Sequence, residues 1–469
     1  MKLNNALLPH QKEAVEKMIK LKVGALFMEQ GTGKTITTLE IARRRYEAGK
    51  IDSVIWLCPC SAKQNIKNEI IKQSPPELYR IFTICGIETL SASIRANEYL
   101  LSLAERKKCF LVVDESLLVK NPKAYRTRNI TRLSSICPYR IILNGTPVSR
   151  NEADLYAQFN LLDWRILGYR SYWSFAANHL EFDDYGNLRR VLNTDYLARK
   201  IAPYTFQAQK SVCVSLPKKR YYTTGFYMTE DQSELYDHVA DVLLSKIDEY
   251  RPETIYRLFS GLQAVMSGKK VIFESPEHFS TVEFFKNPLE NPRIEKLLDI
   301  LTEDKTIIFC KFESEISQLC RILPDAVRFD GNVPLKERDS ALQAFKKDKK
   351  YLIANKNCAG FSLNLQFCHN IIYLSNDWEL GKRLQSEDRV HRIGQEEEVE
   401  ITDIFALNSL DEKILSCLSK KEWILSSIKE EIEKSGDIKA YMKGLVYGSR
   451  YHPEMFDCAE LEDDYAESI

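Results

Sequence analysis

The 469-residue chain balances 66 Lys and Arg against 66 Asp and Glu, with 44% hydrophobic and 10% aromatic residues. Its length is that of about three ordinary domains, and its composition is that of packed globular units rather than of a disordered or fibrous chain. The even charge excludes a generally polybasic binder, so any track for a polyanion has to be a local patch, and the lack of any apolar run of about 18 residues excludes a helical membrane span.

The start, MKLNNALLPHQ, has no signal-peptide core. A strand at GALFM runs into EQGTGKT, and a helix follows to about Arg45. SVIWLC is a second strand, trailed by the helix PCSAKQNIKNEIIKQ with Ile66, Ile70 and Ile71 expected on its inner side. CFLVVDES and YRIILNGTP are two further strands ending in polar loops. Strands alternating with helices specify a parallel sheet, and the polar loops all fall at strand carboxyl ends, where open parallel sheets bind ligands.

From about Trp164 to Asn291 that alternation is interrupted. Aromatics crowd GYRSYWSFAANHLEF, a helical period runs through DQSELYDHVADVLLSKI, and RYYTTGFYM alternates like a strand. Parallel-sheet logic returns with KTIIFC, AVRFDG, KYLIAN, NIIYLS and VEITDIFAL. Beyond about Glu430 lies a tail ending in EMFDCAELEDDYAESI, which has no Lys or Arg and reads as a solvated end. The expected divisions are residues 1–210, a first lobe closing in an aromatic-rich helical extension; 211–430, a second lobe with a helical insertion near 230–290; and the tail 431–469. The twelve cysteines include no CxxC and no Cys/His cluster, and Cys109 and Cys310 sit in apolar runs. Buried free thiols in a reducing compartment are expected, not zinc ligands or disulfides.

Three constellations carry chemistry. In GTGKT, between a strand and a helix, Gly31 and Gly33 let the backbone turn its N–H groups toward phosphates; Lys34 supplies a point charge and Thr35 a hydroxyl for magnesium. In LVVDES, Asp114 can orient a metal ion through its water shell and Glu115 can polarise an attacking water. Nucleoside triphosphate hydrolysis follows from the pair of motifs. The third is LQSEDRVHRIGQ, whose Gln385, Arg389 and Arg392 would share one face of a helix. Two adjacent guanidinium groups suit the charge that builds on a transferred γ-phosphate, although an isolated pair reads better as surface arginines.

QSEDRVHRIGQ closely resembles the last motif of the Swi/Snf family of helicase-like, DNA-dependent ATPases in helicase superfamily 2, and the other motifs follow in family order. LLPHQKEAVEKM is similar to the opening glutamine motif, MEQGTGKT to the phosphate loop, WLCPCSAKQNIKNEI to a DNA-contact motif, VVDESLLVKNPKAYRT to the acidic motif and LNGTPVSRNEADLY to the coupling motif. TIIFCKF, RFDGNVPLKERDSALQAF and AGFSLNLQFCHNIIYLSNDW resemble the second-lobe series, so the likeness runs from about Leu7 to Leu410. It implies an α/β chain of two RecA-like parallel-sheet lobes, with ATP and Mg2+ between them and DNA, duplex or single-stranded, across both. On that resemblance Gln11 would read the adenine edge, and Gly31, Thr32, Gly33, Lys34 and Thr35 would hold the phosphates. Thr35 and Asp114 would serve the metal and Glu115 the water, while Gln385, Arg389 and Arg392 would close from the second lobe. Gly145, Thr146, Gly360 and Asn364 would couple nucleotide state to DNA grip.

The departures from the family pattern are Met28 before the phosphate loop, Leu117 in place of a histidine, Asn144 of a threonine, Ser362 of a glycine and Ile66 of a tryptophan. The Met28 departure is mild, since the glycines, lysine and threonine of the loop are all present, and none of the other four touches phosphate, metal or arginine chemistry. The compact chain resembles a phage, viral or bacterial member, which implies a cytoplasmic site of action, or a nuclear one in a eukaryotic host. DNA contact is the least legible part: Lys63, Lys120, Lys123, Arg150 and Lys311 sit in or beside motif loops, and each reads equally as a solvated charge. The aromatic-rich YRSYWSF suits core packing better than base stacking. The expectation is a monomeric ATP-driven motor moving along DNA, working with replication, repair or recombination proteins and with no membrane. The alternatives are a strand-separating helicase acting on DNA or RNA, and a nucleotide-gated clamp that does not hydrolyse.

Overall fold

The computed structural model describes residues 2–145, 152–182, 188–213, 216–245, 252–274, 278–355, 365–377, 380–420, 431 and 438–450. The chain divides into two compact units, one over Met1–Leu216 and the other beginning at Pro217. The acidic end of the tail lies outside the described residues.

The first unit is built on six strands: β1 (Val23–Met28), β2 (Ser53–Cys58), β3 (Phe82–Gly86), β4 (Cys109–Asp114), β5 (Tyr139–Asn144) and, after a short ribbon of β6 (Leu180–Phe182) and β7 (Leu188–Val191), β8 (Thr205–Ala208). They pair in the order β3-β2-β4-β5-β1-β8, every pair parallel. Ala25, Phe27, Ile55, Leu57, Leu111 and Val113 face one apolar core, and Leu26, Met28, Val54, Trp56, Phe110 and Val112 face the other. A strand buried on both faces has no polar side to alternate with, so it reads as an unbroken apolar run. Of the isoleucines expected inside on the helix Lys63–Gln73, Ile66 and Ile70 are buried and Ile71 is 48% exposed; the ~100° step from its neighbour turns it off the face. In the aromatic segment Phe175 is buried against Tyr156, Tyr169 and His179, whereas Trp173 is 72% exposed.

The second unit opens with β9 (Lys219–Phe226), followed by the helices Glu230–Leu244 and Pro252–Met266 and an antiparallel ribbon of β10 (Lys269–Phe273) and β11 (Phe279–Glu283). Then come β12 (Thr306–Cys310), β13 (Ala326–Phe329), β14 (Tyr351–Asn355), β15 (Asn370–Tyr373) and β16 (Val399–Ala406). Their sheet, again all parallel, has the order β13-β14-β12-β15-β16-β9. RYYTTGFYM, placed by its sequence in the interrupted region, is therefore the edge of the second sheet, paired from Lys219↔Val399 to Phe226↔Ala406. The inserted helices share one core with the sheet: Phe259, Leu262 and Val265 cluster with Ile308, Ile353 and Ile404. Ten described cysteines are free, six of them buried and Cys60 exposed. No described helix is long and apolar enough to cross a membrane.

Candidate functional site

At the end of β1 the chain turns through Gly31 (φ 83°) and Gly33 (φ 92°) into the helix Lys34–Glu47. Only glycine enters that left-handed region freely, and a Cβ on Gly33 would also lie 2.2 Å from Gln11 Nε2. No side chain caps this helix start, so its first N–H groups keep the partial positive charge that suits an anion. The loop is braced from below. Buried Gln11 accepts from the Leu8 N–H at 3.0 Å and donates through Nε2 to the Thr32 carbonyl at 2.9 Å, and His10 Nε2 lies 2.8 Å from the same oxygen. The Thr32 hydroxyl donates inward to the Glu29 carbonyl at 2.7 Å, and Lys34 Nζ donates to the Met28 carbonyl at 2.8 Å. Gln11 is thus a brace of the phosphate loop, whatever it does for a base.

Strand order brings the acidic motif to the same end of the sheet. β5 lies between β4 and β1, and Gly145, just past β5, packs beside Gln30, whose Cγ would be 3.5 Å from an added Cβ. Glu115 adopts a left-handed conformation (φ 53°) and donates its N–H to Asp114 Oδ1 at 3.0 Å; such strain in a non-glycine residue collects at functional positions. Asp114 is half-buried at the end of β4, with the Glu115 N–H on its carboxyl. That carboxyl is pushed up to about 7, first by burial and next by the Glu115 charge, against the opposing charge of Lys34. Lysine, aspartate and glutamate from two motifs about eighty residues apart in sequence therefore feel one another. Two crowded carboxylates with too little positive charge fit a divalent cation. Among the described residues no group of three or more His, Cys, Asp or Glu forms a metal cage. Magnesium bound mainly by water and phosphate needs only one or two protein oxygens, which Asp114 and Thr35 can give.

In the second unit the arginine motif departs from its expected geometry. The helix Leu380–Val390 carries Gln385 and Arg389, both half-buried, but it ends before Arg392. Arg392 sits in the turn after it, its N–H donating to the Val390 carbonyl at 3.1 Å, with Gly394 at φ 96° just beyond. The shared helical face therefore holds Gln385 and Arg389 alone. Arg392 is half-buried, and both arginines make contacts of their own.

Sequence reasoning passed over the opposite face of that helix. Arg383 is buried, bonded to Asp403 on β16 at 2.5 and 2.8 Å, to Asn376 Oδ1 at 3.0 Å and to Glu387 at 3.0 Å. Glu387 also accepts from Lys219 Nζ at 2.8 Å and Tyr221 OH at 2.9 Å on β9. Every charge of this network is matched, which is what allows it to be buried at all. The available signal was the four-residue spacing of Arg383 and Glu387, turned about 160–200° from Gln385.

Among the residues considered for DNA, Lys63 is exposed, Lys120 pairs with Asp154 at 3.4 Å, and Lys123 lies 5.4 Å from the Trp173 ring centre. Lys311 Nζ donates to Gln263 Oε1, which turns it inward. Thr146, Arg150, Gly360, Ser362 and Asn364 lie outside the described residues. Asn144 is 2% exposed, and its Nδ2 finds no partner among the described residues.

The SNF2-related domain matches residues 10–275 and the helicase conserved C-terminal domain residues 292–394. The chain is 24% identical over 446 residues to an uncharacterised ATP-dependent helicase of Mycoplasma genitalium, covering 89% of this chain and 42% of that protein. To the transcription regulatory protein SNF2 of Saccharomyces cerevisiae it is 26% identical over 451 residues, covering 85% and 26%. It thus spans less than half the length of these curated relatives. A solved SWI2/SNF2 ATPase core from Sulfolobus solfataricus in complex with dsDNA pairs with it at 22% identity and a TM-score of 0.41, covering 94% of this chain and 96% of that one. With the first of these domains alone matching more than half of its residues, the chain belongs to the SNF2-related domain family of helicase-like ATPases.

Proposed function

We propose that the chain is a motor that hydrolyses ATP to move along DNA. The observation that carries this reading is the convergence of Lys34, Asp114 and Glu115 on one sheet end, where the charge of Lys34 reaches the Asp114 carboxyl. In the proposed reaction the first N–H groups of the helix Lys34–Glu47 and the Lys34 ammonium hold the β- and γ-phosphates. Thr35 and Asp114 would hold a magnesium ion, which would supply neutralising charge to the phosphate oxygens. Glu115 orients and deprotonates a water whose oxygen attacks the γ-phosphorus; the bond to the β-phosphate oxygen breaks, leaving ADP and phosphate. Lys34 must leave the Met28 carbonyl to reach a phosphate, an exchange of a neutral acceptor for a charged one. Arg389 and Arg392, from the other unit, stabilise the transferred charge. DNA, gripped through its phosphates, favours the state in which both sets of residues act together.

The test is steady-state ATP hydrolysis with no nucleic acid, single-stranded DNA, duplex DNA and RNA, for the native protein and Lys34→Ala. Stimulation by DNA and its loss in Lys34→Ala are expected. Near-native turnover in the variant would overturn the phosphate-loop assignment, and a rate indifferent to all three nucleic acids would overturn the motor.

A further inference from the structure

A second basic feature lies in the first unit, on the helices that follow β4 and β5. Between Glu115 and Glu152 there are seven Lys or Arg residues and no acid, and between Asp163 and Glu181 there are Arg165 and Arg170, again with no acid. In a chain of zero net charge this is the kind of local patch that a polyanion requires. The helix Tyr125–Ile136, the helix Leu155–Leu167 and the turn before the helix Tyr172–His179 bring Arg128 and Arg170 of these stretches to one cleft of about 380 Å³. Arg128, Thr131, Asn160, Arg170, Ser171 and Tyr172 are among its lining residues. Neither the Arg128 nor the Arg170 guanidinium forms an ion pair among the described residues, and Arg170 is steadied over the Trp164 ring at 4.5 Å. Beside the cleft, Trp173 is 72% exposed, with Lys123 Nζ 5.4 Å from its ring centre. Its neighbours Tyr172 and Phe175 pack toward the core, so the segment's largest aromatic is the one turned to solvent.

We propose that this cleft binds an unpaired nucleotide of a single-stranded nucleic acid, with a base stacked on Trp173 and the adjoining phosphates on Arg128 and Arg170. An exposed indole offers a face that any unpaired base can cover. Two arginines without ion pairs offer forks that match phosphate oxygens, and Thr131, Asn160 and Ser171 can bond a sugar or base edge. An acidic peptide would satisfy the arginines and leave the indole bare. A duplex would satisfy the arginines as well, but its bases present no face. The inference deepens the nucleic-acid reading above and rests on it only for the class of ligand.

The test uses the full chain without ATP and a fluorescent oligothymidylate, which forms no hairpin. Anisotropy is compared for the native protein, Trp173→Ala and Arg128→Glu/Arg170→Glu, with thermal melting as the control for folding. Trp173→Ala should weaken oligothymidylate binding by about tenfold and leave duplex binding little changed. The double variant should weaken it further and reduce the slope of log affinity against log salt by about 1.4, for two contacts to a single strand. Unchanged oligothymidylate affinity in Trp173→Ala, an equal loss for duplex, or displacement by poly-glutamate that is insensitive to Trp173 would each overturn the proposal. Hydrolysis that ignores DNA while binding still depends on Trp173 would refute the motor and uphold the cleft.

Discussion

Gly33 is under two constraints at once. Its φ of 92° costs a residue with a side chain about 1–2 kcal/mol, and the Cβ would displace the Gln11 amide that holds the Thr32 carbonyl. Gly33→Ala should therefore weaken binding of a fluorescent ATP analogue by about tenfold or more and lower the melting temperature as the Gln11 brace is lost. Unchanged binding would show that the loop is shaped by its ligand rather than held ready. Glu115 presents a different case, since its strained backbone (φ 53°) is kept when only the charge is removed. Glu115→Gln should preserve nucleotide and DNA binding while hydrolysis falls by about a hundredfold or more, read by single-turnover hydrolysis beside an equilibrium binding titration. Both motifs were legible because each is local: glycines, lysine and threonine in one short loop, two acids at one strand end. The role of Gln11 as a brace was not legible, because its partner lies 21 residues away and is a backbone carbonyl that leaves no mark in sequence.

The helix Leu380–Val390 is seated by Glu387 and Arg383, and that seat titrates. Burial alone would raise the Glu387 carboxyl, yet Lys219 and Arg383 hold it down at about 2 against an ordinary 4.5. A depressed carboxyl contributes its full stabilisation above pH 4.5 and loses it as pH falls toward 2, here of the order of 3 kcal/mol. Acid titration followed by circular dichroism should show the second unit weakening across that window. Glu387→Gln, which leaves half-buried Lys219 with only Asp388 at 3.9 Å and takes one carboxylate from buried Arg383, should be less stable at neutral pH by about 3 kcal/mol and should show a flatter acid limb. An acid profile identical to the native one would remove Glu387 from this role. The same element shows where sequence patterns stop. β1, β2, β4 and β5 announced themselves as double-buried apolar runs, whereas β3 and β8 are short edges rich in Thr, Gln, Cys and Gly. β9 was visible as an alternation, but its partner β16 lies some 180 residues on; Asp403 is only 20 residues from Arg383, yet their meeting is set by how the helix lies on β16, which no local pattern shows. Arg392 fell off its helix because the chain leaves helical geometry after Val390 on the way to Gly394.

At the scale of the molecule, the phosphate loop and the arginine motif belong to different units. Arg392→Ala should lower the DNA-stimulated ATPase rate by about three decades, the lower range for arginines of this kind, while ATP affinity without DNA stays near native because the phosphate loop supplies it. Loss of ATP affinity in the DNA-free variant would instead assign Arg392 to ground-state binding. DNA affinity should fall steeply with salt and vary little with sequence; a flat salt titration would remove the backbone-phosphate grip. The pairing of β9 with β16 has a mechanical meaning for such a motor. The chain passes from the first unit into the second at Pro217, two residues before β9, and β9 is held by β16 along all eight of its residues. A pull directed along β9 would load this ladder in shear, with the bonds sharing the force, rather than unzip it from one end. Lys219 and Tyr221, the residues of β9 that grip Glu387, would pass such a pull to the seat of the helix Leu380–Val390.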